Sequence, residues 1–128
     1  MPVARCECGA VELRIEGELR STIACHCGQC RRMSGHYWAA TAARVDQIKV
    51  NGEENLAWYV SSDIARRGFC RVCGSSMIYH RNAANYWAIA SGCIEGDAPK
   101  LAEHIFVDDK GSYYEIADGL PQHPGSGM

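Results

Sequence analysis

Short stretches of alternating apolar and polar residues dominate this chain. Val11, Leu13 and Ile15 interleave with Glu12, Arg14 and Glu16, the period-two pattern of a half-buried strand, and Gly17 ends it. Segment 36–43 opens on aromatic residues and reads as a second strand. Ile48-Lys49-Val50 runs into Asn51-Gly52, a strong tight-turn pair, and Leu56, Trp58 and Val60 alternate beyond it. Residues 47–60 are therefore expected to form two strands joined by a turn. Further strands are expected at 75–80, 86–91 and 103–107, with a last short one at 113–116. No stretch sustains a 3.6-residue period, and the best helical candidate is a turn around 27–34 that contains Cys30.

Many short strands rich in Trp, Tyr, Val and Ile, separated by glycine turns, predict a mainly β domain with little helix. The length of 128 residues allows one core, so residues 1–120 are expected to form a single domain. Residues 121–128 contain two prolines and two glycines and are expected to be a loose tail.

Composition narrows the function classes. A net charge of −2 with unclustered Lys and Arg gives no field for nucleic acid. No stretch reaches the roughly 18 apolar residues that a membrane helix needs. The N-terminus has no apolar region of the kind found in signal peptides, so a cytoplasmic location is expected. Whether the chain self-associates into a homo-oligomer is left open by the sequence.

Cysteine content changes the picture most. Eight cysteines stand at 6, 8, 25, 27, 30, 70, 73 and 93. Seven of them form tight groups, Cys6-x-Cys8, Cys25-x-Cys27-x-x-Cys30 and Cys70-x-x-Cys73. In a reducing compartment, close thiols of this kind read as metal ligands rather than as a disulfide frame. A Cys-x-Cys pair on a strand end aims both sulfurs to one side, and the glycines that follow (Gly9, Gly28, Gly74) permit the turns that point N–H groups at sulfur. An all-thiolate set suits zinc. Pairing Cys6, Cys8, Cys70 and Cys73 gives one closed site and leaves Cys25, Cys27 and Cys30 as a three-thiolate group with an open fourth position. The alternative closed set is Cys25, Cys27, Cys70 and Cys73. A redox role for Cys70-x-x-Cys73 lacks the surrounding βαβ pattern.

Other residues read more plainly. Cys93 is expected to be a small buried thiol. Strand alternation turns His26 away from its neighbouring cysteines, and His36, His80, His104 and His123 have no ligand spacing. Arg31, Arg32, Arg66, Arg67 and Arg71 flank the cysteine groups, where they offset thiolate charge, and none is assigned to substrate.

The ordered set Cys6-x-Cys8-Gly9-Ala10-Val11, Cys25-His26-Cys27-x-x-Cys30-Arg31-Arg32-x-Ser34-Gly35 and Arg67-Gly68-Phe69-Cys70-x-x-Cys73-Gly74-Ser75 resembles the glutathione-dependent formaldehyde-activating enzyme family, which includes the centromere protein V type. His104 to Val107, Lys110 and the run Tyr113 to Pro121 resemble its closing segment, with Tyr113 where the family has tryptophan. The resemblance implies a small zinc-containing β-tent of short antiparallel strands. It implies a structural zinc on Cys6, Cys8, Cys70 and Cys73, and a second, labile catalytic zinc on Cys25, Cys27 and Cys30. The implied activity is that of a carbon–sulfur lyase, adding glutathione as co-substrate to formaldehyde or a similar small aldehyde. Competing readings are a non-enzymatic zinc module that binds a protein, and a zinc enzyme acting on another thiol adduct.

Overall fold

A computed structural model of the chain describes residues 1–127. It is the mainly β tent that the sequence implies, built from two sheets. The smaller sheet joins β1 (Val3–Arg5), β2 (Glu12–Ile15) and β5 (Ile48–Asn51) in the order β1-β2-β5. The larger contains β3 (Thr22–Cys25), β4 (Trp38–Arg44), β6 (Leu56–Val60), β7 (Ala65–Cys70), β8 (Ser76–Arg81), β9 (Tyr86–Ala90) and β10 (Leu101–Ile105). Its order is β10-β3-β4-β9-β8-β7-β6. One seven-residue helix, α1 (Gly28–Ser34), follows β3 and carries Cys30.

Alternation along the strands separates two apolar layers. Leu13 and Ile15 of β2 point into the main core, where they meet Met77 and Ile78 of β8 and Trp87 and Ile89 of β9. The opposite face of the large sheet presents Trp38 and Ala40 of β4 and Ala88 and Ala90 of β9, packed with Cys30 of α1. Alanine at these three strand positions leaves space above the sheet that larger side chains would fill. That space is the cavity described below.

Three expectations are corrected. The two strands within 47–60 exist but do not pair with each other. β5 joins β2, and β6 joins β7 in the other sheet. Gly52 has φ +79° and leads into a turn of 3-10 helix at Glu53–Asn55, longer than the two-residue turn of a tight hairpin, so the chain passes from one sheet to the other. No strand forms at 113–116. The Tyr114 carbonyl accepts a hydrogen bond from Lys110 Nζ at 2.5 Å, while its hydroxyl turns inward to His26. The large sheet is not wholly antiparallel, because β10 returns beside β3 in parallel.

Residues 121–125, expected to be loose, hydrogen bond along β10. Backbone N–H groups of His104, Phe106 and Val107 donate to the carbonyls of Pro121, Gly125 and His123. Met128 lies outside the described residues. Strands β1, β3 and β7, which the alternation did not single out, complete the sheets. Among the described residues no helix is long and apolar enough to cross a membrane.

Candidate functional site

Two groups of sulfurs assemble, and each could hold a metal ion. The four of Cys6, Cys8, Cys70 and Cys73 and the three of Cys25, Cys27 and Cys30 each lie within 4.8 Å of one another. All eight cysteines are free thiols.

The first group is built from two matching turns. After β1, Cys6 N–H donates to Val11 O at 3.1 Å and Gly9 N–H to Cys6 O at 3.2 Å. After β7, Cys70 N–H donates to Ser75 O at 3.1 Å and Gly74 N–H to Cys70 O at 2.8 Å. Both turns close on a glycine at positive φ, +80° at Gly9 and +82° at Gly74, where a side chain would be strained. Backbone N–H groups point at the sulfurs: Val11 donates to Cys6 Sγ at 3.3 Å, and Val72 to Cys70 Sγ at 3.4 Å. A bond of 3.0 Å from Glu7 N–H to Ser75 Oγ ties the two turns together. The Ser75 hydroxyl beside Cys73 holds that thiol down at about 5.

In the second group, Cys25 ends β3, and Cys27 caps α1 by accepting from Cys30 N–H at 3.3 Å. Cys30 follows one helical turn later and is buried. Hydrogen bonds from Cys25 and Cys30, with the nearby Arg67 charge, lower Cys27 to about 2. The same contact with Cys27 pushes Cys25 up, and Cys30 is also raised. The three thiols therefore lose their protons as a set rather than singly.

This group forms part of the wall of a cavity of about 380 Å³. Ile23, Trp38, Tyr79, Tyr86, Ile105 and Phe106 give the cavity an apolar and aromatic lining. Its long polar side chains are Arg20, Gln29 and Arg67. Arg20 is bonded to the carbonyls of Ser21 and Ala40. Gln29 donates to Ser61 O at 3.1 Å and accepts from Arg67 Nε at 2.6 Å.

Arg67 was placed by sequence among the charge-offsetting arginines, but it is only 2% exposed. It lies on β7 with its guanidinium carbon 4.9 Å from the Tyr79 ring centre and 5.4 Å from that of Trp38. The available signal was an arginine inside a strand that ends on one of the grouped cysteines, a position where a merely solvated charge is costly.

Behind the second group lies a row of polar side chains that sequence reasoning passed over. His26, fully buried, turns away from the sulfurs as alternation predicts. Its Nδ1 is 2.6 Å from Tyr114 Oη and its Nε2 is 2.8 Å from His104 Nδ1. His104 Nε2 is 2.8 Å from Asp118 Oδ2. Burial lowers His26 to about 4, so it is a neutral ring at pH 7.

Comparison with known proteins gives consistent matches. A family model described as glutathione-dependent formaldehyde-activating enzyme matches residues 1–109. A Schizosaccharomyces pombe protein described as an uncharacterized lyase is 28% identical over 116 residues, spanning 88% of this chain and 83% of its own. A crystal structure of a Rhodobacter sphaeroides protein superposes with a TM-score of 0.65 at 27% identity, covering 94% of this chain and 98% of that one.

Proposed function

The chain belongs to the glutathione-dependent formaldehyde-activating enzyme family, and from that premise we propose that it is a zinc-dependent carbon–sulfur lyase. Its substrates are then a thiol of the glutathione type and formaldehyde or a similar small aldehyde. The observation that carries this reading is the unequal setting of the two sulfur groups. Four cysteines tie two turns together, whereas three others form part of a cavity wall.

The donor sets fit zinc. Separations of 3.8 Å between the sulfurs of Cys6 and Cys8 and of Cys8 and Cys70 equal the edge, about 3.8 Å, of a tetrahedron with arms of about 2.3 Å. Four thiolates make a structural site, held by Cys6, Cys8, Cys70 and Cys73; three leave a coordination place free, so Cys25, Cys27 and Cys30 are assigned to the second ion. That ion, bound by soft anionic ligands, would supply a place for a fourth sulfur and lower the pKa of the incoming thiol.

The chain's own residues do the rest. Cys27 caps α1 by accepting from Cys30 N–H, so the helix and the ligand set are fixed together. The aromatic cavity wall excludes water from a thiolate and a carbonyl held side by side, and such proximity is worth several kcal/mol of barrier. A free-thiol ligand set belongs in a reducing setting, and the reading puts the protein in the cytoplasm.

The test is adduct formation from glutathione and formaldehyde, followed by NMR on protein of known zinc content. Two zinc ions per chain and a rate above the uncatalysed one are expected. Cys27→Ser should lose both one ion and the acceleration, with Cys93→Ser as the control that keeps them. Full acceleration in Cys27→Ser would overturn the assignment.

A further inference from the structure

Two hydrogen-bond donors in the cavity wall have no acceptor. Arg67 Nη1, Trp38 Nε1 and, in the main core, Trp87 Nε1 are buried atoms without a partner among the described residues, and of the three only Arg67 and Trp38 line the cavity. Besides the Tyr79 and Tyr86 hydroxyls, the polar groups there are Arg20, which donates from Nε and Nη2 to carbonyls, and Gln29, which bonds through both its amide nitrogen and its oxygen. Arg67 uses Nε on Gln29 and Nη2 on Cys30 Sγ at 3.4 Å, and no Asp or Glu among the described residues pairs with it. Leaving a buried donor without an acceptor is costly, and more so when the donor is charged. Protein interiors leave few such groups unsatisfied, and a charged one least of all.

From these orphaned donors we infer that the cavity binds an anionic oxygen, which accepts from Arg67 Nη1 and Trp38 Nε1 beside Cys25, Cys27 and Cys30. The inference rests on the proposed function for its chemistry and extends it with a residue-level assignment. The apolar walls favour an apolar group on the part of the ligand that lies beside this oxygen. Two sources of the oxygen share this chemistry. One is a carboxylate already present on the ligand. The other is the alkoxide that develops in the reaction. There the thiol sulfur forms a bond to the carbonyl carbon, and the C=O π bond breaks with its electron pair moving to oxygen. The proton given up by the thiol ends on that oxygen, so nothing is oxidised or reduced. Arg67 would hold the oxygen while it carries charge, the role of an oxyanion donor.

The experiment has a binding arm and a rate arm, both on metal-loaded protein. Propionate and its neutral isostere propionamide are titrated and followed by ligand-observed NMR. If a carboxylate is the natural occupant, propionate binds at least about tenfold more tightly than propionamide, the factor of one charged hydrogen bond. Arg67→Gln then abolishes the preference, and Trp38→Phe, which keeps the ring and removes the N–H, weakens it. If the alkoxide is the occupant, the two probes bind alike. Arg67→Gln then lowers kcat for adduct formation by at least about tenfold with little change in KM for the aldehyde. Arg67→Lys, which keeps the charge, recovers part of whichever effect is seen and serves as the reporter if Arg67→Gln does not fold. Metal content and near-ultraviolet circular dichroism must match wild type in each variant. The binding arm needs no turnover, so a protein inactive on every aldehyde still reports on Arg67. No propionate preference together with an unchanged kcat, or with no turnover to measure, overturns the inference.

Discussion

His26 Nε2 stands 2.8 Å from His104 Nδ1, joining the residue between Cys25 and Cys27, just past β3, to the parallel strand β10. Asp118, when ionised, can only accept, so His104 carries its proton on Nε2. While the His104 ring is neutral, its Nδ1 accepts from His26 Nε2–H, and His26 Nδ1 accepts from the Tyr114 hydroxyl. One carboxylate near the surface thus sets the proton order through two buried rings, and the residue between Cys25 and Cys27 is clamped from behind.

Replacing His104 tests the clamp. His104→Leu leaves the His26 Nε2–H buried without an acceptor, and the expected loss is about 1–3 kcal/mol in chemical denaturation. A loss within experimental error of zero would show that the row contributes no stability.

Acid should release the same row. Backbone donation from Leu120 and the hydrogen bond with His104 hold Asp118 below the usual carboxylate range. A group whose pKa is depressed on folding contributes stability above the unfolded carboxylate pKa and loses it as pH falls through the folded value. Wild type is therefore expected to melt above Asp118→Asn at pH 7. The gap should narrow as pH falls through and below the carboxylate range. A gap that is constant with pH contradicts the assignment.

The two sulfur groups should respond differently to loss of a ligand. Cys70→Ser removes a tie between residues 62 apart in sequence, Cys8 and Cys70. Its melting temperature is expected to fall by roughly 10 °C or more, together with the loss of one metal equivalent. Cys30→Ser is expected to lose one equivalent and keep most of its melting temperature. Metal analysis and thermal melts read both, and equal destabilisation would contradict the division into structural and open sites.

Gly52 tests the crossing between sheets. A Cβ there would lie 1.8 Å from the Ala10 carbonyl oxygen, and its φ of +79° disfavours any side chain. Gly52→Ala is expected to cost about 3 kcal/mol or more, read by denaturant unfolding. A neutral substitution would mean that the turn rearranges freely.

The cysteine chemistry was legible because ligand spacing is local. Cys-x-Cys and Cys-x-x-Cys turns carry their own geometry in three or four residues, and the alternation that hid His26 from the sulfurs is equally local. Strand partners were less legible. Leu56, Trp58 and Val60 show a strand but not that it leaves β5 for β7, since the pairing depends on residues far along the chain. Arg67 and the row from Asp118 to Tyr114 were missed for the same reason. A buried arginine and an exposed one look alike in sequence, and His26 meets His104 only because β3 and β10 lie side by side.

The parallel pairing of β10 with β3 bears on how the molecule comes into being at the ribosome. When Cys93 is added, the nascent chain holds all eight of these cysteines, yet Leu101–Ile105, the neighbour of β3, is still unmade. The Cys6/Cys8/Cys70/Cys73 group can therefore form before the other is braced, and a chain halted at residue 100 would own all eight cysteines without His104. Completion of the cavity beside Cys25, Cys27 and Cys30 is a late event in the life of each molecule.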